Sequence, residues 1–273
     1  MATLRYRRSD IPIPKPLRDG AALAALPQSW IANKDERAVI VQLICQRRLF
    51  GLCYWMLQPD YFDIMPRGSG VLLSPLVPTS EVFHGINRPG DIDLLIVPYE
   101  GAELVLERAM AIEFKAIRAS FKRQGKSPNE YGFSQGEALL ALGIPYVAVG
   151  HMILSDESPP EHWREMVRAE VLDDEGRVGE LSTVNIDMMP ADLIKRALGR
   201  LEANTPSEFM GLLASYIELS DECSSTINYT KLLIPEARHA TLNPITRVES
   251  LEAIAQYLSK NPNRFVNTPR HDP

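Results

Sequence analysis

Three apolar runs at the centre of the chain constrain its fold more than any other feature. Asp91–Val97 reads DIDLLIV, Ala109–Ile117 reads AMAIEFKAI and Ile144–Val149 reads IPYVAV. The first is bounded by Pro89-Gly90 and Pro98, and the third follows Gly143. Short apolar runs between glycine and proline punctuation read as buried strands. Between the second and third lies a helical pattern over 129–142, with Gly143 placed to end it in a left-handed turn. The order strand, strand, helix, strand specifies an α/β core.

The flanks differ in character. Residues 1–32 carry Pro12, Pro14, Pro16 and Pro27. Proline fixes φ and removes a backbone donor, so this segment is expected as an extended arm. Val39, Ile40, Leu43 and Ile44 recur at helical spacing and predict a helix over about 34–50, with Asn33 and Glu36 spaced as a capping box. Val71–Leu73 predicts a short strand within a stretch punctuated by proline and glycine. A soft boundary falls near residue 156, where SDESPP breaks the pattern. The expected division is an arm over 1–32, a core over 33–155 and a mostly helical C-terminal region over 156–273. In that last region, helices are predicted at 160–170, 190–203, 207–219 and 248–259.

Composition sets limits on function. With 45% hydrophobic and 23% charged residues over 273 positions, the chain can bury a substantial core. The net charge of −6 excludes holding a long nucleic acid by overall charge, so any such contact must rest on a local basic patch. Its three cysteines form no CxxC pair, which leaves no zinc or redox motif by spacing and fits a reducing compartment. The basic start is followed by no apolar segment, and the apolar-rich stretch Leu49–Leu57 is too short to span a bilayer. A cytoplasmic protein without membrane association is expected.

Charged side chains stand out against the first two apolar runs. Residues i and i+2 of a strand share a face, so Glu113 and Lys115 point one way with Phe114 behind them, and Asp91 and Asp93 likewise pair up. Carboxylates on core strands are costly unless a cation or donor compensates them. Phosphodiester hydrolysis calls for such a pair. A hard divalent cation activates water and offsets charge on the reacting phosphate, and a neighbouring lysine orients the attacking water.

The pattern GDIDLLI followed by IEFK resembles the PD-(D/E)XK nuclease superfamily, over roughly residues 34–150. The resemblance implies a restriction-endonuclease-like core with a mixed central sheet flanked by helices. It also implies Mg²⁺- or Mn²⁺-dependent hydrolysis of nucleic acid, DNA before RNA, in a setting such as bacterial defence or DNA repair. Carried over, Asp93 and Glu113 bind the metal, Lys115 assists the water, and Gln135 on the following helix lies near the metal. A literal proline-x-aspartate match selects Asp91 instead, as a further ligand or as a turn residue after Pro-Gly. An acid often added from the first helix is Glu36 by position, with Glu81 the alternative; His84 is a candidate manganese ligand. The basic run Arg118, Lys122, Arg123 and Lys126 directly follows the E-x-K strand and is placed to meet phosphates. Phe121 and Tyr131 nearby are candidates for stacking on bases. The C-terminal region is left as a surface for dimerisation or a protein partner. The rival reading keeps the fold but not the reaction, as a recognition or structural subunit of a larger complex.

Overall fold

The computed structural model describes residues 5–16, 24–86, 90–125, 128, 130–219 and 234–270. In chain order, β1 (Arg7–Arg8) leads to α1 (Gln28–Ala32), α2 (Glu36–Cys45), α3 (Arg47–Leu57) and α4 (Pro59–Phe62). Next come β2 (Ser69–Pro78), α5 (Thr79–Val82), β3 (Asp91–Glu100), β4 (Glu103–Val105) and β5 (Met110–Arg118). The helix α6 (Phe133–Ala141) precedes β6 (Tyr146–Leu154), followed by β7 (Arg164–Arg168) and β8 (Ser182–Ile186). The chain continues through α7 (Met189–Asn204), β9 (Gly211–Tyr216), β10 (Glu236–Arg238), α8 (Val248–Lys260) and β11 (Val266–Pro269).

One mixed sheet organises the molecule. β2 pairs antiparallel with β3, and β3 antiparallel with β5; β5–β6 and β6–β9 are parallel. Parallel neighbours need a crossover, and α6 and α7 provide them. β10 and β11 extend the two ends antiparallel, and β4 and β1 pair beside the distal part of β3. The strand alternation splits the core. Ala111, Ile117, Val149 and Leu212 face α6, α7 and α8, whereas Ile112, Phe114, Ala148 and Leu213 face α2 and α3. Leu95, Leu94, Ile96 and Leu72 are fully buried, each such side chain contributing about 1.5–3 kcal/mol.

Several elements depart from the sequence expectation. The predicted helix at 34–50 is two helices broken at Gln46, whose ψ of 70° leaves the helical region. Its N-cap is Asp35, which accepts from the Arg37 amide at 2.9 Å, and not Asn33. The helix expected from 129 begins at Phe133, after Gly132 turns the chain with φ of +88°. β2 is ten residues long despite Pro75 and Pro78.

The C-terminal region is not mostly helical. Helices form at 189–204 and 248–260 as predicted, but 207–219 holds β9, a fully buried strand of the central sheet. The stretch 160–170 is a 3₁₀ turn leading into β7, which pairs with β8 in a separate exposed hairpin. The sheet therefore runs across position 156 and takes strands from both sides of it. Within the arm, Tyr6 packs against the core and Asn267 donates to the Pro14 carbonyl at 2.6 Å, so residues 5–16 follow the body of the protein. No helix among the described residues is long and apolar enough to cross a membrane.

Candidate active site

The site forms where β3 and β5 separate. Their ladder ends at Leu94–Ile112, and one step further Asp93 faces Glu113. On the other side of β3 the ladder passes over Leu76, which lies opposite Asp93 with φ of +51°. Asp93 is thus free of regular pairing on both sides, and its side chain replaces the missing ladder bond. Its Oδ2 accepts from the Phe114 amide at 2.7 Å.

Glu113 is 1% exposed and receives the Lys115 ammonium on Oε1 at 2.8 Å. Its Oε2 is buried and has no hydrogen-bond partner. Desolvation, and then the charge of Asp93, push the Glu113 carboxyl up to about 8. Desolvation likewise raises Asp93, to about 6, against the opposing effects of the Phe114 amide and Lys115. For Lys115, burial disfavours the charge. The hydrogen bond to Glu113 and the fields of Glu113, Glu36 and Asp93 outweigh it and hold the pKa above the usual lysine value.

Glu36 reaches this group from the start of α2. Its Oε2 accepts from the Ala116 amide at 3.0 Å and lies 3.9 Å from Lys115 Nζ. The capping-box role is therefore not the one it plays. Glu81 does not come to the site: it is ion-paired with Arg264 at 2.8 Å. His84 is exposed in the turn after α5. Asp91 is exposed at the start of β3 and lines a small cleft together with Glu113, Gln135, Gly90 and Thr79. Gln135 of α6 comes so close that a Cβ on Gly90 would lie 2.9 Å from its Nε2.

The entrance to α6 covers the lysine and glutamate. A Cβ on Gly132 would lie 3.1 Å from Glu113 Cγ and 3.6 Å from Lys115 Cε. This loop is tied down by His151, which the sequence offered no reason to select. His151 pairs with Lys115 across the parallel β5–β6 ladder, is fully buried, and donates from Nε2 to the Tyr131 carbonyl at 3.2 Å. Burial pushes its pKa down to about 4, with the charges of Arg200 and Lys115 acting the same way, so the ring is neutral.

Of the basic run, Arg118 spends its guanidinium on the Lys34 carbonyl at 2.8 and 3.1 Å. Lys122 and Arg123 are exposed in the loop after β5, and Lys126 falls outside the described residues. The two aromatic candidates are engaged in packing. Tyr131 stacks between Phe133 and His151 with centroids at 5.5 and 5.8 Å, and Phe121 meets His162 at 4.7 Å.

Among the described residues, no group of three or more histidine, cysteine, aspartate or glutamate side chains is arranged to hold a metal ion. Two facing carboxylates with one orphaned oxygen nonetheless fit a magnesium-type cation, which keeps several waters and takes one or two protein carboxylates. Comparison with protein-family models, curated proteins and solved structures found no match for the chain.

Proposed function

We propose that the chain is a metal-dependent nuclease with a restriction-endonuclease-like core. The observation that carries this reading is the buried pair Asp93–Glu113. Two carboxylates face each other, both held above their normal range, with Glu113 Oε2 unpartnered. Such an arrangement is costly for the protein alone and is relieved by a divalent cation.

In this reading Asp93 and Glu113 hold Mg²⁺ or Mn²⁺, which supplies Lewis acidity and a lowered pKa of a bound water. Phe114 fixes the Asp93 carboxylate by its amide. Lys115 stays charged, orients the attacking water and offsets charge developing on the phosphate. Glu36 holds the end of β5 and adds to the field that keeps Lys115 protonated. Lys122 and Arg123 lie on the same strand's exit and are suited to the flanking phosphates. DNA is the proposed substrate on the resemblance, in defence or repair.

A second reading has its own support. Among the described residues no set of three metal-ligating side chains is arranged around a common point, and in this reading the fold serves as a non-cleaving recognition or structural subunit. One assay separates the two. The full chain is incubated with supercoiled, linear and single-stranded DNA and with RNA, in Mg²⁺ or Mn²⁺, beside EDTA and Lys115→Ala controls. Metal-dependent cleavage lost in the variant supports the nuclease. Absence of cleavage, with no calorimetric binding of Mn²⁺ that depends on Asp93, supports the second reading.

A further inference from the structure

At the opposite end of β5 and β6 from Lys115 lies a pocket of about 320 Å³, lined among others by Gln58, Tyr61, Arg108, Tyr146, His239 and Thr241. The short turn Leu106–Arg108 leads into β5, and Tyr146 opens β6, so the parallel pairing of these strands brings Arg108 and Tyr146 together. Arg108 Nη1 donates to Tyr146 Oη at 2.7 Å. Its guanidinium lies over the rings of Tyr61 and Tyr146, 5.0 and 5.5 Å from their centroids.

We propose that this pocket is a second binding site, specific for an oxyanion (the phosphate or carboxylate group of a small molecule), with Arg108 as its anchor. Among the described residues Arg108 forms no ion pair, and its hydrogen bond to Tyr146 uses one of five N–H donors. The hydrogen bond to Tyr146 and the ring of Tyr61 beside the guanidinium restrict the freedom that an arginine normally loses on binding, leaving a planar fork suited to a bidentate oxyanion. Tyr146 accepts from Arg108, so its own proton is available to donate in turn. Desolvation raises the pKa of Tyr146 and keeps that proton in place.

The surroundings carry the sign of missing partners. Gln58, on the pocket wall, is 4% exposed, yet neither its Nε2 nor its Oε1 is hydrogen-bonded. Buried polar atoms are nearly always satisfied by protein, water or ligand, and two such atoms on the wall beside a cation with no ion pair among the described residues call for an occupant. Asp60 is the acid on the pocket wall; it is exposed, where water screens it.

The proposal is independent of the nuclease reading and is tested without divalent metal. Binding of inorganic phosphate, AMP and succinate to the full chain is measured by calorimetry, for the wild type and for Arg108→Gln, Arg108→Lys and Tyr146→Phe. Saturable one-to-one binding of at least one probe is expected. Arg108→Gln should weaken it by about tenfold or more, the worth of one charge-assisted hydrogen bond. Arg108→Lys and Tyr146→Phe should fall between, and they carry the test if Arg108→Gln does not fold. Tighter binding of AMP than of phosphate would assign the site to nucleotides, and tighter binding of succinate to carboxylates. No saturable binding at millimolar concentration, or equal binding by wild type and all three variants, overturns the proposal and leaves a pocket filled by water.

Discussion

Asp93 is fixed by the backbone of the residue that follows Glu113: its Oδ2 accepts from the Phe114 amide at 2.7 Å. The same β5 segment thus holds one carboxylate by its amide and supplies the other as a side chain. The separation of the pair is set by strand geometry and not by flexible loops, and both groups bear the cost of burial, to which the Asp93 charge adds at Glu113. That cost is visible in stability. Raised carboxyl pKa values mean that the folded chain binds protons the unfolded chain has released. Stability from this pair is present at low pH and is lost as pH rises from the ordinary carboxylate range towards about 8, the value reached by Glu113. In EDTA, thermal denaturation between pH 5 and 8.5 should show a falling Tm. Asp93→Asn should flatten the profile and raise Tm at pH 8 by about 2–4 °C, the shift that ~1 kcal/mol gives in a chain approaching this size. Millimolar Mn²⁺ should restore stability to the wild type only. A Tm independent of pH over this range would contradict the paired burial.

Lys115 tests the reaction separately from the fold. Its ammonium bonds Glu113 Oε1 and stands 3.9 Å from Glu36. Lys115→Met keeps the stem and removes the charge. Cleavage is expected to fall by about 100-fold or more, the scale for deleting one preorganised electrostatic group. Mn²⁺ binding, read by calorimetry, should persist, because the cation that competes for Glu113 is gone. Glu36→Gln keeps an acceptor for the Ala116 amide and should cost activity far less than Lys115→Met. An equal loss in both variants would mean that Glu36 touches the metal.

The core strands and the E-x-K pair were legible because apolar run, punctuation and charge coincide within one short segment. The rest depended on tertiary pairing. Gly211–Tyr216 is an apolar run too short to reveal its period, and only its alignment beside β6 makes it a strand. Val71–Leu73 marked part of β2, but its full length was hidden by Pro75 and Pro78, which lower strand propensity although the sheet accommodates them. Glu36 matched a capping pattern that Asp35 in fact fulfils. His151 has no local signature, since its place beside Lys115 exists only through the parallel register of β5 and β6.

The loop over the site is narrow by construction. Gly132 has φ of +88°, and a Cβ there would press on Glu113 and touch Lys115. Gly132→Ala should destabilise the protein by about 1–3 kcal/mol through strain at a left-handed position, measured by urea denaturation. His151→Phe keeps a ring against Tyr131 but removes the donor to its carbonyl. It should free the loop, giving faster amide exchange at 131–136 and an activity loss expressed in kcat more than in KM. Unchanged exchange would show that the ring stack alone holds the loop.

Behind the site, Phe114 transmits packing to Asp93. Its ring lies against Gly150 of β6, where a Cβ would stand 2.6 Å from Cδ1 and Cε1. Phe114 is itself 1% exposed and packs among Ile112, Ala148 and Leu213, so it has no empty space to move into. Gly150→Ala must therefore push the ring and with it the backbone amide that holds Asp93. Overpacking of this kind costs about 1–3 kcal/mol, which urea denaturation will report. The variant should also lose activity at temperatures where it is fully folded, because the displaced amide no longer aims the carboxylate at its partner. Pairing it with Phe114→Leu, which gives the methyl room, should recover stability while leaving the amide in place. Destabilisation without any loss of activity would show that the Asp93 carboxylate is positioned independently of this contact.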